Sequence, residues 1–486
     1  MRPFEILLVA ADLLAFIALV VPLPDRAGWL RCTLPMALLC MVAGIQLLIE
    51  GSRWQMVPAY ALVGLFFLVW LLRMLARESR RGSWRGSWPG SWRGVIRLAG
   101  GLGVGLGVLG LGVSMGLPLM FPVFRFPHPT GPYEIGTLTY HWVDVDRPEV
   151  FTADPNDRRE LMVQVWYPSR GSPSSPRVPY VQDAGALVPL ARLLRLPEFS
   201  FGHLQYITTN AMLSAPMSND EASYPVLLFS PGRGGYRQHN TLQIEELVSH
   251  GYVVAAIDHP YAAAGVVFPE GRLAVFDPRM ADGTFVDGMV GYLAQDAIFT
   301  LHQLVTLNQA DPNGVLTGRL DLSRAGIFGV SLGGEVSAEA CRLESRLRAC
   351  LAMDVWMPPS VVQAGLLQPT MFITRDSETM LREGWSQAAI DRTQNTMRAV
   401  FERLPRDGYF VRVPGMFHAD FSDARLLSPL TSWLGITGPI DGHRAQSIVR
   451  SYSLAFFDQY LKDRPAVLLE GAAEQYPEVL FETRRP

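Results

Sequence analysis

An apolar run, Ala325-Gly326-Ile327-Phe328-Gly329-Val330, leads directly into Ser331-Leu332-Gly333-Gly334. Gly329 to Gly333 reads Gly-x-Ser-x-Gly, the pattern of a nucleophile elbow, in which a serine sits on a sharp strand-to-helix turn. Its flanking positions must be glycine to avoid clashes, and Glu335 to Cys341, rich in small residues, supplies the helix. Such a turn sets the Ser331 hydroxyl at a helix N-terminus, whose amides favour developing negative charge. The chemistry implied is attack of an activated hydroxyl on an acyl carbon. In a chain with 44 glycines the pattern alone is loose. Its place between a predicted strand and a predicted helix gives it weight.

A serine at its ordinary pKa needs a base, normally a histidine oriented in turn by a carboxylate. With the order serine, acid, histidine, only His418 and His443 follow Ser331. His418 lies in Val413-Pro414-Gly415-Met416-Phe417-His418-Ala419-Asp420-Phe421, a loop after a predicted strand, where catalytic groups collect. His443 opens the final predicted helix beside Arg444 and is expected at the surface. Two aspartates compete for the third role. Asp354 ends the apolar run Cys350-Leu351-Ala352-Met353, where an unpartnered carboxylate would be costly to bury. Asp376 follows the next predicted strand, and position alone leaves the two level. The oxyanion needs two preorganised amides. Leu332 N–H, next to the nucleophile, is one. Arg233 N–H, in the turn Ser230-Pro231-Gly232-Arg233-Gly234-Gly235, is expected to be the other. His418 and Asp420 are close in sequence, but no spaced histidine, cysteine or carboxylate set accompanies them, so no metal site is expected.

The elements that must position these groups read as a largely parallel sheet covered on both faces, an α/β fold. Short β-rich apolar runs predict strands at Leu161–Tyr167, Pro225–Ser230, Tyr252–Asp258, Ala325–Val330, Ala349–Val355, Thr370–Thr374 and Tyr409–Val413. Helical spacing of apolar residues predicts helices over Gln243–His250, Ala294–Leu307 and Ala445–Leu461. Residues 126–486 are therefore expected to form an α/β-hydrolase catalytic domain.

Residues 1–125 have a different character. Stretches 4–23, 32–49, 56–72 and 98–121 are each apolar over about the 17 to 25 residues that cross a bilayer, which predicts an all-α domain of four spans. A cleaved signal peptide would explain only the first of them. Small-xxx-small pairs in the fourth, Gly101 with Gly105 and Gly103 with Gly107, suit close helix packing in lipid. Between the third and fourth stretches lie Arg73, Arg77, Arg80, Arg81, Arg85, Arg93 and Arg97 against the single acid Glu78, with Gly-Ser-Trp units at Gly82, Gly86 and Gly90. Positive charge marks cytoplasmic loops, so everything after residue 125 is expected on the extracytoplasmic side. Asp12 within the first span is costly in lipid and marks either a functional site or a bundle-facing structural position. Cys32 and Cys40 fall in an apolar stretch; Cys341 and Cys350 are expected to be free buried thiols. The net charge of −3 and the lack of any nucleic-acid motif leave no nucleic-acid partner to expect.

Taken together, these segments resemble the platelet-activating factor acetylhydrolase family of the plasma, or isoform II, type and its bacterial relatives among lipases and polyester hydrolases. The likeness rests on Val165-Trp166-Tyr167-Pro168, the Phe229-to-Gly235 turn, and Ser249-His250-Gly251-Tyr252 through Asp258-His259-Pro260. It continues through Gly329 to Gly334, Asp354-Val355-Trp356-Met357-Pro358 and the His418 loop with Asp420-Phe421, and covers about residues 135 to 465. The resemblance implies that the acid is Asp354, and that the reaction is hydrolysis of an ester with a short or modified acyl chain, without calcium or any cofactor. Trp356 and Met357 are then candidates for the acyl pocket or, equally, for the apolar core. Animal members commonly carry histidine where Pro231 stands and an apolar residue where Arg233 stands. The expected function is a membrane-anchored serine ester hydrolase acting on ester or lipid substrates. The alternatives are an acyltransferase using the same acyl-serine and a catalytically dead membrane sensor.

Overall fold

The computed structural model describes residues 1–21, 30–81, 90–171, 175–471 and 473–485. They form two compact units, Met1–Phe124 and Arg125–Pro486.

The first unit is built from α1 (Pro3–Val20), α2 (Leu30–Ile49), α3 (Val57–Arg81) and α4 (Gly90–Met120). Each contains a stretch long and apolar enough to cross a membrane: Pro3–Val20, Cys32–Ile49, Trp54–Leu75 and Gly101–Met120. Leu8, Ala11, Asp12, Ala15 and Leu19 recur at helical spacing and form the buried stripe of α1. They pack in a core with Met36, Leu39, Ala43, Ala59, Leu62 and Phe66. Asp12 thus faces the bundle, fully buried, with no hydrogen bond to either carboxylate oxygen among the described residues. At the Pro3 end, Glu5 pairs with Arg53 at 2.6 Å and with Arg2 at 2.8 Å, and Arg53 Nη1 donates to Phe121 O at 2.6 Å. The expected glycine contacts need correction. A Cβ at Gly101, Gly103 or Gly105 would meet nothing, whereas one at Gly107 would lie 2.3 Å from Phe16 and one at Gly110 2.8 Å from Leu62. The close approach therefore follows an i, i+3 step further along α4. The Gly-Ser-Trp units at Gly82 and Gly86 lie outside the described residues.

The second unit is organised on one sheet of eleven strands, in the order β13-β12-β11-β10-β9-β5-β6-β2-β1-β4-β3. In chain order the strands are β1 (Glu134–Pro148), β2 (Arg158–Ser169), β3 (Arg177–Pro179), β4 (Thr208–Leu213), β5 (Tyr224–Ser230), β6 (Val253–Asp258), β7 (Gly265–Val267), β8 (Leu273–Val275), β9 (Leu320–Val330), β10 (Leu347–Met353), β11 (Thr370–Thr374), β12 (Gly408–Arg412) and β13 (Leu480–Arg484). β7 and β8 form a separate hairpin. The central strands β6, β5, β9, β10, β11 and β12 run parallel, while β2 joins β6 antiparallel and β13 joins β12 antiparallel. Alternate residues of these strands feed two cores, one on each face. One face carries Val226, Leu228, Ile327 and Ala352 with residues of α6 (Gly283–Gln309), α7 (Leu332–Leu343) and α8 (Gln387–Phe401). The other carries Leu227, Phe229, Phe328 and Leu351 with α5 (Thr241–Ser249) and α9 (Gly442–Leu461). This mostly parallel, doubly covered sheet is the α/β-hydrolase fold expected from the sequence. Cys341 and Cys350 are buried and free.

Candidate active site

β9 ends at Val330 and α7 starts at Leu332, so the whole reversal falls on Ser331. Its backbone adopts φ 56° and ψ −128°, a region nearly reserved for glycine. Two neighbours hold it there. Ser331 N donates to Met353 O at 2.9 Å, and Gly334 N donates back to Ser331 O at 2.8 Å. The glycines are required by backbone crowding: a Cβ at Gly329 would lie 2.1 Å from Gly333 O, and one at Gly333 only 1.9 Å from Ser230 O.

The residue after Met353 is Asp354, also at positive φ (46°) and only 1 % exposed. His418 Nδ1 lies 2.5 Å from Asp354 Oδ2. Asp354 Oδ1 accepts from Thr374 Oγ1 at 3.0 Å and Arg375 Nε at 2.9 Å, and Arg375 Nη2 stands 2.8 Å from Oδ2. Burial alone would raise the Asp354 pKa. The Arg375 charge and the His418 hydrogen bond outweigh it and hold the carboxyl well below the usual range. Fully buried Arg375 also pairs with Glu383 and stacks on Trp385 at 4.4 Å, while Glu383 accepts the His418 N–H at 3.2 Å. The imidazole is therefore gripped at its ring nitrogen and at its backbone. Its side chain is 33 % exposed while that of Asp354 is fully buried, so it reaches from the interior to the open edge of the sheet. Among the described residues no hydrogen bond joins Ser331 Oγ to His418 Nε2. Asp376 is engaged elsewhere: it caps the helix Ser377–Arg382, accepting from Thr379 N at 2.9 Å and Thr379 Oγ1 at 2.8 Å. His443 is exposed.

The turn after β5 lies against the elbow, with a Cβ at Gly232 only 3.2 Å from Ser331 Cβ. Neither Leu332 N–H nor Arg233 N–H is hydrogen-bonded among the described residues. The exposed Arg233 side chain donates to Met280 O at 3.2 Å. Trp356 is half-buried, with the Arg392 guanidinium stacked on its ring at 4.4 Å and paired to Asp287 at 2.7 Å. Of the two roles open to Met357, pocket wall or apolar core, its packing fits the second. It is 1 % exposed and packs in the core, with its N–H bound to Thr396 Oγ1 at 2.8 Å, so it offers no surface to a substrate.

Two neighbouring groups escaped sequence reading. Glu335, one helical turn after Ser331, is buried, and burial together with Asp287 pushes its carboxyl up to about 8 against the opposing effects of Arg392 and Trp356. His239 is driven down to about 4 by burial and then by the charge of His418. Arg375 offered one signal: it stands immediately after an apolar strand and one residue before a rival acid.

The family model described as platelet-activating factor acetylhydrolase, isoform II, matches residues 120–270 and 305–473. A platelet-activating factor acetylhydrolase of Cavia porcellus is 25 % identical over 372 residues, covering 69 % of this chain and 78 % of the relative. A probable 1-alkyl-2-acetylglycerophosphocholine esterase of Arthroderma benhamiae is 23 % identical over 390 residues, 74 % of this chain and 94 % of its own. Among solved structures, a ferulic acid esterase from Streptomyces cinnamoneus superposes with a TM-score of 0.60 at 28 % identity, covering 74 % of this chain and 99 % of that one.

Proposed function

Because this chain belongs to the platelet-activating factor acetylhydrolase isoform II family and is a carboxylic ester hydrolase, we propose that Ser331, His418 and Asp354 are its catalytic triad. In this reading His418 Nε2 takes the Ser331 proton, and Ser331 Oγ attacks the ester carbonyl. The Leu332 and Arg233 amides hold the oxyanion, and the protonated imidazole releases the alcohol. Water, deprotonated by the same imidazole, then cleaves the acyl-enzyme. The observation that carries the reading is the Asp354–His418 contact. It fixes the proton on Nδ1 and leaves Nε2 as the open acceptor, and Asp354 itself directly follows the strand beside β9, whose end carries the serine on a strained elbow. The substrates proposed are short or modified acyl esters of lipids. The four apolar helices would anchor the enzyme in the bilayer. The arginine-rich segment from Arg73 to Arg97, which takes in the end of α3 and the start of α4, would be cytoplasmic and the catalytic unit extracytoplasmic.

The test uses the full chain in detergent with p-nitrophenyl esters of increasing chain length and an sn-2 acetyl phospholipid. Activity is expected to favour short chains, and activity and fluorophosphonate labelling to vanish together in Ser331→Ala. Hydrolysis surviving that substitution refutes the triad.

A further inference from the structure

A second serine, histidine and aspartate set lies behind the first. Ser230 Oγ is 2.8 Å from His259 Nε2, and His259 Nδ1 is 2.8 Å from Asp296 Oδ2. Ser230 and Asp296 are fully buried and His259 is 2 % exposed, so no substrate reaches this serine. Arg159 holds Asp296 through Nε at 3.0 Å and Nη2 at 2.6 Å, Arg147 Nη2 adds a contact at 2.7 Å, and Arg159 is itself paired with Glu149 at 3.0 Å. Burial alone would raise the Asp296 carboxyl; the two arginines overcome it and keep the group well below the usual range. An anion fixed there draws the imidazole proton to Nδ1. In the neutral ring Nε2 then accepts, and Ser230 Oγ–H must donate.

That direction fixes the turn Pro231-Gly232-Arg233, because Ser230 is the last residue of β5. Its carbonyl lies directly against the elbow, where a Cβ at Gly333 would collide with it at 1.9 Å. The segment that carries His259 pins the same turn at two further points: Arg237 N donates to Asp258 Oδ1 at 2.6 Å and Gly234 N to Ala262 O at 2.8 Å. We propose that Ser230, His259 and Asp296 form a buried positioning relay that sets the oxyanion turn, and with it the Arg233 amide, against Ser331. The inference rests on the Ser331 reading above. An oxyanion donor displaced by a fraction of an ångström loses hold on the transition state, while the ground-state ester is little affected.

The relay is tested in the full chain with Ser230→Ala, His259→Gln and Asp296→Asn. Active sites are counted by stoichiometric fluorophosphonate labelling, so that unfolded protein does not enter the rate. Ser230→Ala is expected to lower kcat per labelled site about tenfold or more with KM within about twofold, and to weaken an aryl boronate, whose adduct is a tetrahedral anion, by the same factor. His259→Gln keeps a side-chain amide within reach of Ser230 and is expected to recover part of the loss. A packing role alone would reduce the labelled fraction and the thermal midpoint without changing kcat per site. Unchanged kcat per site and unchanged boronate affinity in Ser230→Ala and Asp296→Asn overturn the proposal. Should Ser230→Ala not fold, unchanged values in Asp296→Asn alone do the same. Failure of the triad reading looks different, as activity that survives Ser331→Ala.

Discussion

Asp354→Asn is the most discriminating exchange, because the surroundings dictate which way the new amide must point. Oδ1 of Asp354 faces two donors besides the imidazole, Thr374 Oγ1 at 3.0 Å and Arg375 Nε at 2.9 Å, against one, Arg375 Nη2 at 2.8 Å, on Oδ2. An asparagine must therefore turn its oxygen to them and its NH2 to His418 Nδ1. Nδ1 becomes the acceptor, the ring proton moves to Nε2, and the imidazole can no longer take a proton from Ser331. A tautomer inverted in this way lowers kcat by about 10⁴ in a serine triad with intact geometry. Asp376→Asn is the control: it only caps the helix Ser377–Arg382, and asparagine caps as well as aspartate, so activity should stay within about twofold. The assay is kcat for p-nitrophenyl acetate per fluorophosphonate-titrated site, with circular dichroism to confirm folding. Asp354→Asn within tenfold of wild type, with Asp376→Asn inactive, would refute the reasoning.

Arg375→Met removes the charge that holds Asp354 and pairs with Glu383, and breaking a buried pair from one side costs about 3–5 kcal/mol in denaturant unfolding. The Asp354 carboxyl is held below its ordinary value of 3.8, so its contribution is present above that pH and lost as pH falls through the depressed value. Without Arg375, the acid unfolding midpoint should move to higher pH. Glu335 shows the opposite sign, lying at about 8 against an ordinary 4.5. Its stabilising share is complete below about 4.5 and lost as pH rises to about 8, so wild type should lose thermal midpoint over that window relative to Glu335→Gln, and no further above it. Gly333→Ala drives a methyl into Ser230 O and should cost about 1–3 kcal/mol in denaturant unfolding, with loss of fluorophosphonate labelling at Ser331.

The central strands were legible because both of their faces are buried, which makes each a continuous apolar run, as in Val226–Phe229 and Leu351–Met353. β1 was not. Its second half faces solvent and reads His141, Asp144 and Asp146 among apolar residues, with no clean alternation. β13 is a half-exposed edge strand of mixed polarity, and its pairing with β12 is visible only in three dimensions. Ser331 and His418 stood out from motif and chain order. The choice between Asp354 and Asp376 did not stand out from position alone; the resemblance favoured Asp354, while the Asp354–His418 contact and the helix cap made by Asp376 are visible only in three dimensions. Met357 stayed open for a related reason: an apolar residue beside a candidate acid reads the same whether it lines a cleft or fills a core.

The twist at Ser331 has an implication for evolution in the laboratory. Holding a non-glycine residue at φ 56°, ψ −128° costs on the order of 1–3 kcal/mol. Glycine visits that region freely. A Ser331→Gly protein should therefore melt higher than its parent while, on the proposed mechanism, hydrolysing nothing, and unguided selection for thermostability would drift toward erasing the side chain proposed as the nucleophile.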